Sequence, residues 1–235
     1  VRINYDLVID QQCLPVGLTR MAASGQPQIE LFPWPYHPLL HASQAQNPIT
    51  RYLNPVRTSF ISSLDTLPGN GQVEKTVLLQ TSPRSRAMNV PVEVNFDIIQ
   101  DTRMLQTLDN EPEIVAVLLE GTFSSVFRNR MLGQEFAHGH KLKAQSVPTS
   151  MVVAGDGNIA RNRISQRGEV YPMGFDTHSR ENYKGNAEFM RNAVNYLVDG
   201  AGLMQVRMRE FKLRLLDKQK VQDERIKWQL INTLL

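Results

Sequence analysis

Short runs rich in β-branched and apolar residues, each bounded by turn residues, recur along the chain: Asp6 to Ile9, Thr58 to Ser62, Lys75 to Leu79, Ile114 to Leu119 and Met151 to Ala154. Runs of this length and composition predict strands. The last two are continuously apolar instead of alternating, which is the pattern of a strand covered on both faces. That pattern predicts an α/β fold, a mostly parallel sheet with helices on either side. One helix stands out. Between Asn186 and Val198, the residues Phe189, Ala193, Tyr196 and Leu197 fall on one face at helical spacing, and Gly200 and Gly202 follow where a stop is expected. This helix is expected to pack on the sheet.

Met204, Met208, Phe211 and Leu215 continue an apolar stripe that dissolves into Asp217-Lys-Gln-Lys220 and Gln222-Asp-Glu-Arg225. Residues 203–235 are therefore expected to form a long helix leaving a body made of residues 1–202. The stretch from Gln26 to Pro55 has another grain: Pro27, Pro33, Pro35, Pro38, Pro48 and Pro55 interleave with Trp34, Tyr36 and His37. Six missing N–H groups predict an ordered, surface-hugging loop, not a helix or a central strand. Gln80 to Val92 reads as a polar connection, and Phe123 to Thr149 as an excursion from the sheet.

Composition narrows the classes. With 41% hydrophobic and 21% charged residues in 235, the chain has enough apolar mass for a sizeable core, which excludes wholesale disorder. Its longest apolar runs fall far short of the roughly 20 residues a membrane helix needs. The single cysteine, Cys13, excludes a disulfide-stapled scaffold and leaves the compartment open. Between Leu203 and Trp228 eight cations meet four anions, a surplus of four that exceeds the +3 of the whole chain and leaves the body slightly acidic. A nucleic-acid-binding body is excluded on that balance. The chain opens at Val1 with neither a basic stretch nor an apolar run, so it is expected to be a piece of a longer protein.

Candidate chemistry is sparse. Gly155-Asp-Gly-Asn-Ile-Ala160 formally fits the G-x-G-x-x-A dinucleotide pattern, but Arg161-Asn-Arg163 and Gly168 follow it where a long amphipathic helix is required. It reads as a glycine-permitted turn at the carboxyl end of a strand, and no cofactor is expected. Open α/β sheets bind ligands at that end, so Asp156, Asn158 and Arg161 are candidate ligand-binding residues. Trp34 and Tyr36 form a second candidate, because aromatic rings can stack on sugars; a carbohydrate- or peptidoglycan-binding module is the alternative they suggest. Glu135, His138 and His140 lack a fourth ligand and a helical register, so no metal site is expected. There is no G-x-S-x-G elbow, and Cys13 has no glycine beside it to form a nucleophile turn; it reads as a small buried hydrophobe.

Several stretches in order carry a family resemblance: Leu31-Phe-Pro-Trp-Pro-Tyr36, Asn47-Pro-Ile-Thr50, Ser62-Ser-Leu-Asp65, Leu78-Leu-Gln-Thr-Ser-Pro83, Leu118-Leu-Glu-Gly121 with Phe127-Arg-Asn-Arg130, Val152 to Asn162, and Asn186 through Val221. Together they resemble the GldG-type auxiliary component of ABC transporters, a family associated with gliding motility in Bacteroidetes. The resemblance implies a Rossmann-like domain similar to class I glutamine amidotransferase domains, without the enzymes' nucleophile. It also implies a membrane-anchored placement on the periplasmic face of the bacterial inner membrane, between flanking membrane helices. An ABC permease and an ATPase subunit would be the partners. Lys227-Trp-Gln-Leu-Ile231 would then be an interfacial anchor, and the C-terminal helix could pair with a second copy. The function expected is a non-catalytic partner- or ligand-binding subunit.

Overall fold

The computed structural model describes residues 1–22, 25–69, 71–99, 107–108, 111–130, 143–199, 229–230 and 233. By its contacts the chain divides into two units, at residues 201 and 202. The expected basic helix over 203–235 falls almost wholly outside the described residues, as do Glu135, His138 and His140.

Ten strands run in the order β1 (Arg2–Ile3), β2 (Asp6–Asp10), β3 (Cys13–Met21), β4 (Pro27–Ala42), β5 (Val56–Arg57), β6 (Leu64–Asp65), β7 (Val73–Gln80), β8 (Ser85–Asn89), β9 (Ile114–Gly121) and β10 (Thr149–Ala154). Helix α1 (Gly185–Val198) follows, and 3-10 turns lie at Phe96–Ile99 and Gly157–Ala160. A curled six-stranded sheet has the order β10-β9-β7-β4-β3, with β5 pairing off β4. Two ribbons, β1 with β6 and β2 with β8, complete the strands. Every pairing among the described strands is antiparallel.

The expected Rossmann-like, mostly parallel α/β sheet is therefore overturned, and with it the likeness to glutamine amidotransferase domains. The run from Ile114 to Leu119 misled because it reports burial, not strand direction. Ala116 and Leu118 of β9 face the main core with Leu40, Leu78, Phe189 and Ala193. Val117 and Leu119 face the other way and pack with Leu64 of β6. A central antiparallel strand with both faces covered needs the same apolar run as a parallel one.

Two opposed register shifts deepen that core. Between Val77 and Leu79 one extra residue sits on β7, and between the partners of Leu79 and Gln80 one extra sits on β9. A bulge cancels the two-residue alternation locally. Leu78 with Leu79, and Val115 with Ala116, consequently enter one cluster although each pair is consecutive.

The proline-rich stretch is the second correction: Pro27–Ala42 is not a loop but the longest described strand. Its hairpin with β3 closes where the Ala22 N–H donates to the Gln26 carbonyl at 2.9 Å. That bond makes even-numbered positions the hydrogen-bonded pairs, so Pro27 and Pro33, paired with Met21 and Pro15, occupy positions whose N–H would point away from the partner. No ladder bond is lost there. The dense segment Pro33 to Pro38 spans an irregularity opposite Cys13 and Pro15, after which the strand enters the large sheet beside β5 and β7.

Thr58 to Ser62, expected as a strand, is a coil in which Phe60 has φ 53°. Gln80 to Val92 is more regular than expected, since it contains β8. Helix α1 appears where its spacing predicts, with Phe189 and Ala193 buried against the sheet. Its first turn carries Glu188, whose carboxylate accepts from the Asn54 backbone N–H at 3.3 Å and from Asn54 Nδ2 at 2.9 Å. Near its end, the Tyr196 hydroxyl donates to Glu120 of β9 at 3.0 Å.

The glycines of the Gly155-Asp-Gly motif differ in what they are for. A Cβ on Gly155 would lie 2.2 Å from the Ser62 carbonyl oxygen, whereas one on Gly157 would meet nothing within 4 Å. Gly155→Ala is expected to destabilise the fold by about 1–3 kcal/mol through forced backbone displacement. Gly157→Ala should be neutral or stabilising by up to about 1 kcal/mol. Urea unfolding of the two variants checks this, and equal midpoints would contradict it.

Candidate functional site

The site grows from the end of β10. Gly155 brings the chain against the 58–62 segment, and the buried Asp156 then fastens both. Its Oδ2 accepts the Ser59 N–H at 3.0 Å, and its Oδ1 accepts the Asn158 N–H at 2.7 Å and Asn158 Nδ2 at 2.8 Å. This caps the 3-10 turn at Gly157–Ala160. The turn closes with the Arg161 N–H donating to the Asn158 carbonyl at 3.1 Å, and Arg161 emerges into solvent.

Beyond it the chain folds back as a short hairpin. Ile164 bridges Val170, the Ser165 N–H donates to the Glu169 carbonyl at 2.8 Å, and the Tyr171 N–H donates to the Arg163 carbonyl at 2.8 Å. Gly168 supplies the left-handed residue at φ 84°. Ser165 Oγ accepts the N–H groups of Arg167 at 3.3 Å and Glu169 at 3.0 Å, fixing the tip.

Arg57 of β5 forms the base of the same region, although it lies about a hundred residues upstream. Its backbone is held by the buried Asn186 of α1: the Arg57 N–H donates to Asn186 Oδ1 at 2.8 Å, and Asn186 Nδ2 donates to the Arg57 carbonyl at 2.8 Å and to the Ile159 carbonyl at 3.2 Å. Its guanidinium is held by Asp176, with Nε and Nη2 both 3.4 Å from Oδ1. Arg57 is 4% exposed and Asp176 0%. The other Asp176 oxygen accepts the N–H groups of His178 at 3.2 Å and Ser179 at 2.9 Å and the Ser179 hydroxyl at 3.0 Å. Burial works against this carboxylate, yet the Ser179 donors and the Arg57 guanidinium together hold its pKa below the ordinary value.

Between these parts lies an open cleft of about 650 Å³. Arg57, Arg161, Arg163 and Arg167 wall it, with Asn158, Ser165, Tyr171 and Thr177 beside them and Glu169 as the single carboxylate in its lining. Arg163 donates to the Thr177 hydroxyl at 3.1 Å, and its pKa is lowered by burial and then by the like charge of Arg57. Tyr171 stacks on Phe175 with ring centroids 4.5 Å apart. His37 lies within electrostatic reach; burial, then the Arg57 charge, lowers its pKa to about 4, so it is neutral at pH 7.

The residues read from sequence fall in two places. Asn158 and Arg161 line the cleft, and Asp156 lies beneath it as the cap that positions them. Trp34 and Tyr36 are elsewhere, 6% and 3% exposed in a cluster with Leu7, Ile9 and Ile98. Trp34 meets Tyr36 edge-on at 5.0 Å and Phe96 at 5.0 Å, so neighbouring rings already occupy its surroundings. Sequence reasoning missed Arg57, Arg163, Arg167 and Tyr171. Three arginines within 161–167, with no acidic residue among them, were the available signal. Nothing local marks Arg57.

Residues 1–193 match a protein family described as an ABC-type uncharacterized transport system, whose members are its auxiliary components. The chain belongs to this family. No curated protein and no solved structure matches it. The family match spans the whole cleft, from Arg57 to Thr177, and ends inside α1. It carries the coarser part of the resemblance drawn from sequence, an ABC transport auxiliary component, and does not distinguish a GldG-type member. No helix among the described residues is long and apolar enough to cross a membrane.

Two further groups, the half-buried Cys13 and the buried Asp10, bear on what this auxiliary component can do chemically. Burial pushes the Cys13 thiol up to about 12, so it stays protonated. Asp10 is buried and its pKa is raised by that burial, against the Ser82 hydroxyl, Ser82 N–H and Gln12 N–H that donate to it. Ser82 thus serves Asp10 and no histidine. His178 Nδ1 accepts the Gly17 N–H at 3.3 Å.

Proposed function

We propose that the chain is a non-catalytic, extracytoplasmic accessory subunit of an ABC transporter, working beside a permease and an ATPase subunit at the periplasmic face of the inner membrane. In this reading the arginine cleft is where it binds an anionic ligand. One observation carries the binding role: Arg161, Arg163 and Arg167 face an open cleft with no carboxylate hydrogen-bonded to any of them among the described residues. Charges gathered without a hydrogen-bonded counter-charge favour a ligand that supplies the opposite charge. The protonated Cys13 thiol and the absence, among the described residues, of a hydroxyl donating to a histidine favour binding over nucleophilic chemistry. Family membership supports the transport setting, and the GldG-type resemblance supports the periplasmic address and the link to gliding.

The test is affinity purification of the full-length protein from solubilised native membranes, with co-purifying proteins identified by mass spectrometry. A permease and an ATPase recovered in fixed ratio is the expected result. Recovery of the protein alone, or with cell-wall fragments, would overturn the accessory-subunit reading.

A further inference from the structure

We infer that the arginine cleft is a phosphomonoester site, taking a dianionic terminal phosphate attached to a small organic group. The inference rests on the proposed reading of the cleft as a binding surface and names its ligand class.

The charge balance selects a dianion. Arg57 is already neutralised by Asp176 beneath it, and Glu169 offsets one of the remaining three arginines. Arg161, Arg163 and Arg167 against Glu169 leave two positive charges, the complement of one phosphomonoester dianion. A monoanionic carboxylate would leave one cation unmatched.

Residue type points the same way. All four cations in the lining are arginines, whose planar forked donors bind phosphate oxygens bidentately where a lysine would offer a point charge. Arg57 is preorganised for this: Nε and one proton of Nη2 are directed at Asp176, and Nη1 has no protein partner among the described residues. Arg163 is aimed by Thr177. The Ser165 and Thr177 oxygens accept bonds from Arg167, Glu169 and Arg163, which leaves their own hydroxyl protons to donate.

Size and walls fit an organic phosphate better than a bare ion. A cleft of about 650 Å³ is several times larger than one phosphate needs and lies within the range of small-ligand sites. The Tyr171 ring, backed by Phe175, gives one wall an apolar face for the organic part.

Binding of phenyl phosphate to the chain by isothermal titration calorimetry, at low ionic strength, tests the inference, with benzoate as the monoanionic control. Phenyl phosphate is expected to bind at least about tenfold tighter than benzoate. Arg161→Gln and Arg163→Gln are each expected to weaken it about tenfold, the loss of one charge-assisted contact. Arg161 is exposed, so its variant reports on the cleft without a folding cost, and circular dichroism confirms that both variants are folded. Equal affinity for the two probes, affinity unchanged in both variants, or no binding to either phenyl phosphate or phosphatidic acid vesicles would overturn the inference.

Vesicles distinguish the source of the phosphate. Retention on phosphatidic acid vesicles that Arg161→Gln abolishes, without binding of phenyl phosphate, supports the same chemistry with a lipid headgroup as ligand. Equal, variant-independent retention on phosphatidylglycerol vesicles, which carry only a phosphodiester, would overturn it. Permease and ATPase co-purifying with a protein that binds no phosphomonoester would leave the proposed function standing and this inference refuted.

Discussion

Asp176→Asn is expected to cost the fold about 3–5 kcal/mol, because it leaves the Arg57 guanidinium buried without its counter-charge. That is a large part of the ~5–15 kcal/mol that holds an ordinary domain together. The cost follows from desolvation: the pair is almost wholly out of water, with Arg57 fixed through its backbone by Asn186 and Asp176 accepting from Ser179 and His178. A double variant, Arg57→Met with Asp176→Leu, removes both charges and should lose clearly less than the two single losses added. Strict additivity in urea unfolding would show that the pair is not coupled. The pH dependence has a definite sign. The folded-state pKa of Asp176 lies below the ordinary 3.8, so its contribution is complete above that value and is lost as the pH falls through the depressed one. The stability difference between the native protein and Asp176→Asn should therefore be flat at neutral pH and shrink in strong acid.

Asn186→Ala is the second expected large effect, at about 3 kcal/mol or more. The side chain serves the Arg57 N–H, the Arg57 carbonyl and the Ile159 carbonyl, and each buried backbone group left unpaired costs about 1–3 kcal/mol. In effect the amide continues β5 for one residue and joins it to the turn at Gly157–Ala160 and to α1. The loss should therefore appear as lowered thermal stability together with weakened ligand binding in the cleft, since Arg57 and Asn158 both depend on this junction. A loss under about 1 kcal/mol would mean that water replaces the amide.

These effects centre on residues whose importance only the folded chain reveals. Helix α1 and the strands around Val8, Val77, Val117 and Val152 were legible because periodicity and β-branched runs are local properties. Strand direction was not. The apolar run of β9 records that both faces are covered, and antiparallel neighbours with Leu64 on one side and Phe189 on the other satisfy it as well as parallel ones would. The prolines of β4 were read as loop because a missing N–H excludes a bonded position. Whether a position is bonded depends on register, which Ala22 and Gln26 fix only when the hairpin closes. At the site, the turn from Asp156 to Arg161 was visible as a glycine motif after a strand. Arg57 reaches it only through the pairing of β5 with β4 and the reach of Asn186, both long-range in sequence.

The hairpin of β3 and β4 has a protective consequence. Its outer part exposes Met21 at 72% and Ile29 at 70%, an apolar two-stranded tongue of the kind that recruits further strands edge to edge. Half of the outward donors such recruitment needs are withheld on each border. Pro27 and Pro33 have no N–H to offer along β4; along β3, Pro15 has none and the N–H of Gly17 is already taken by His178. The sequence feature that disguised this strand also thins the row of donors through which another strand could add to it.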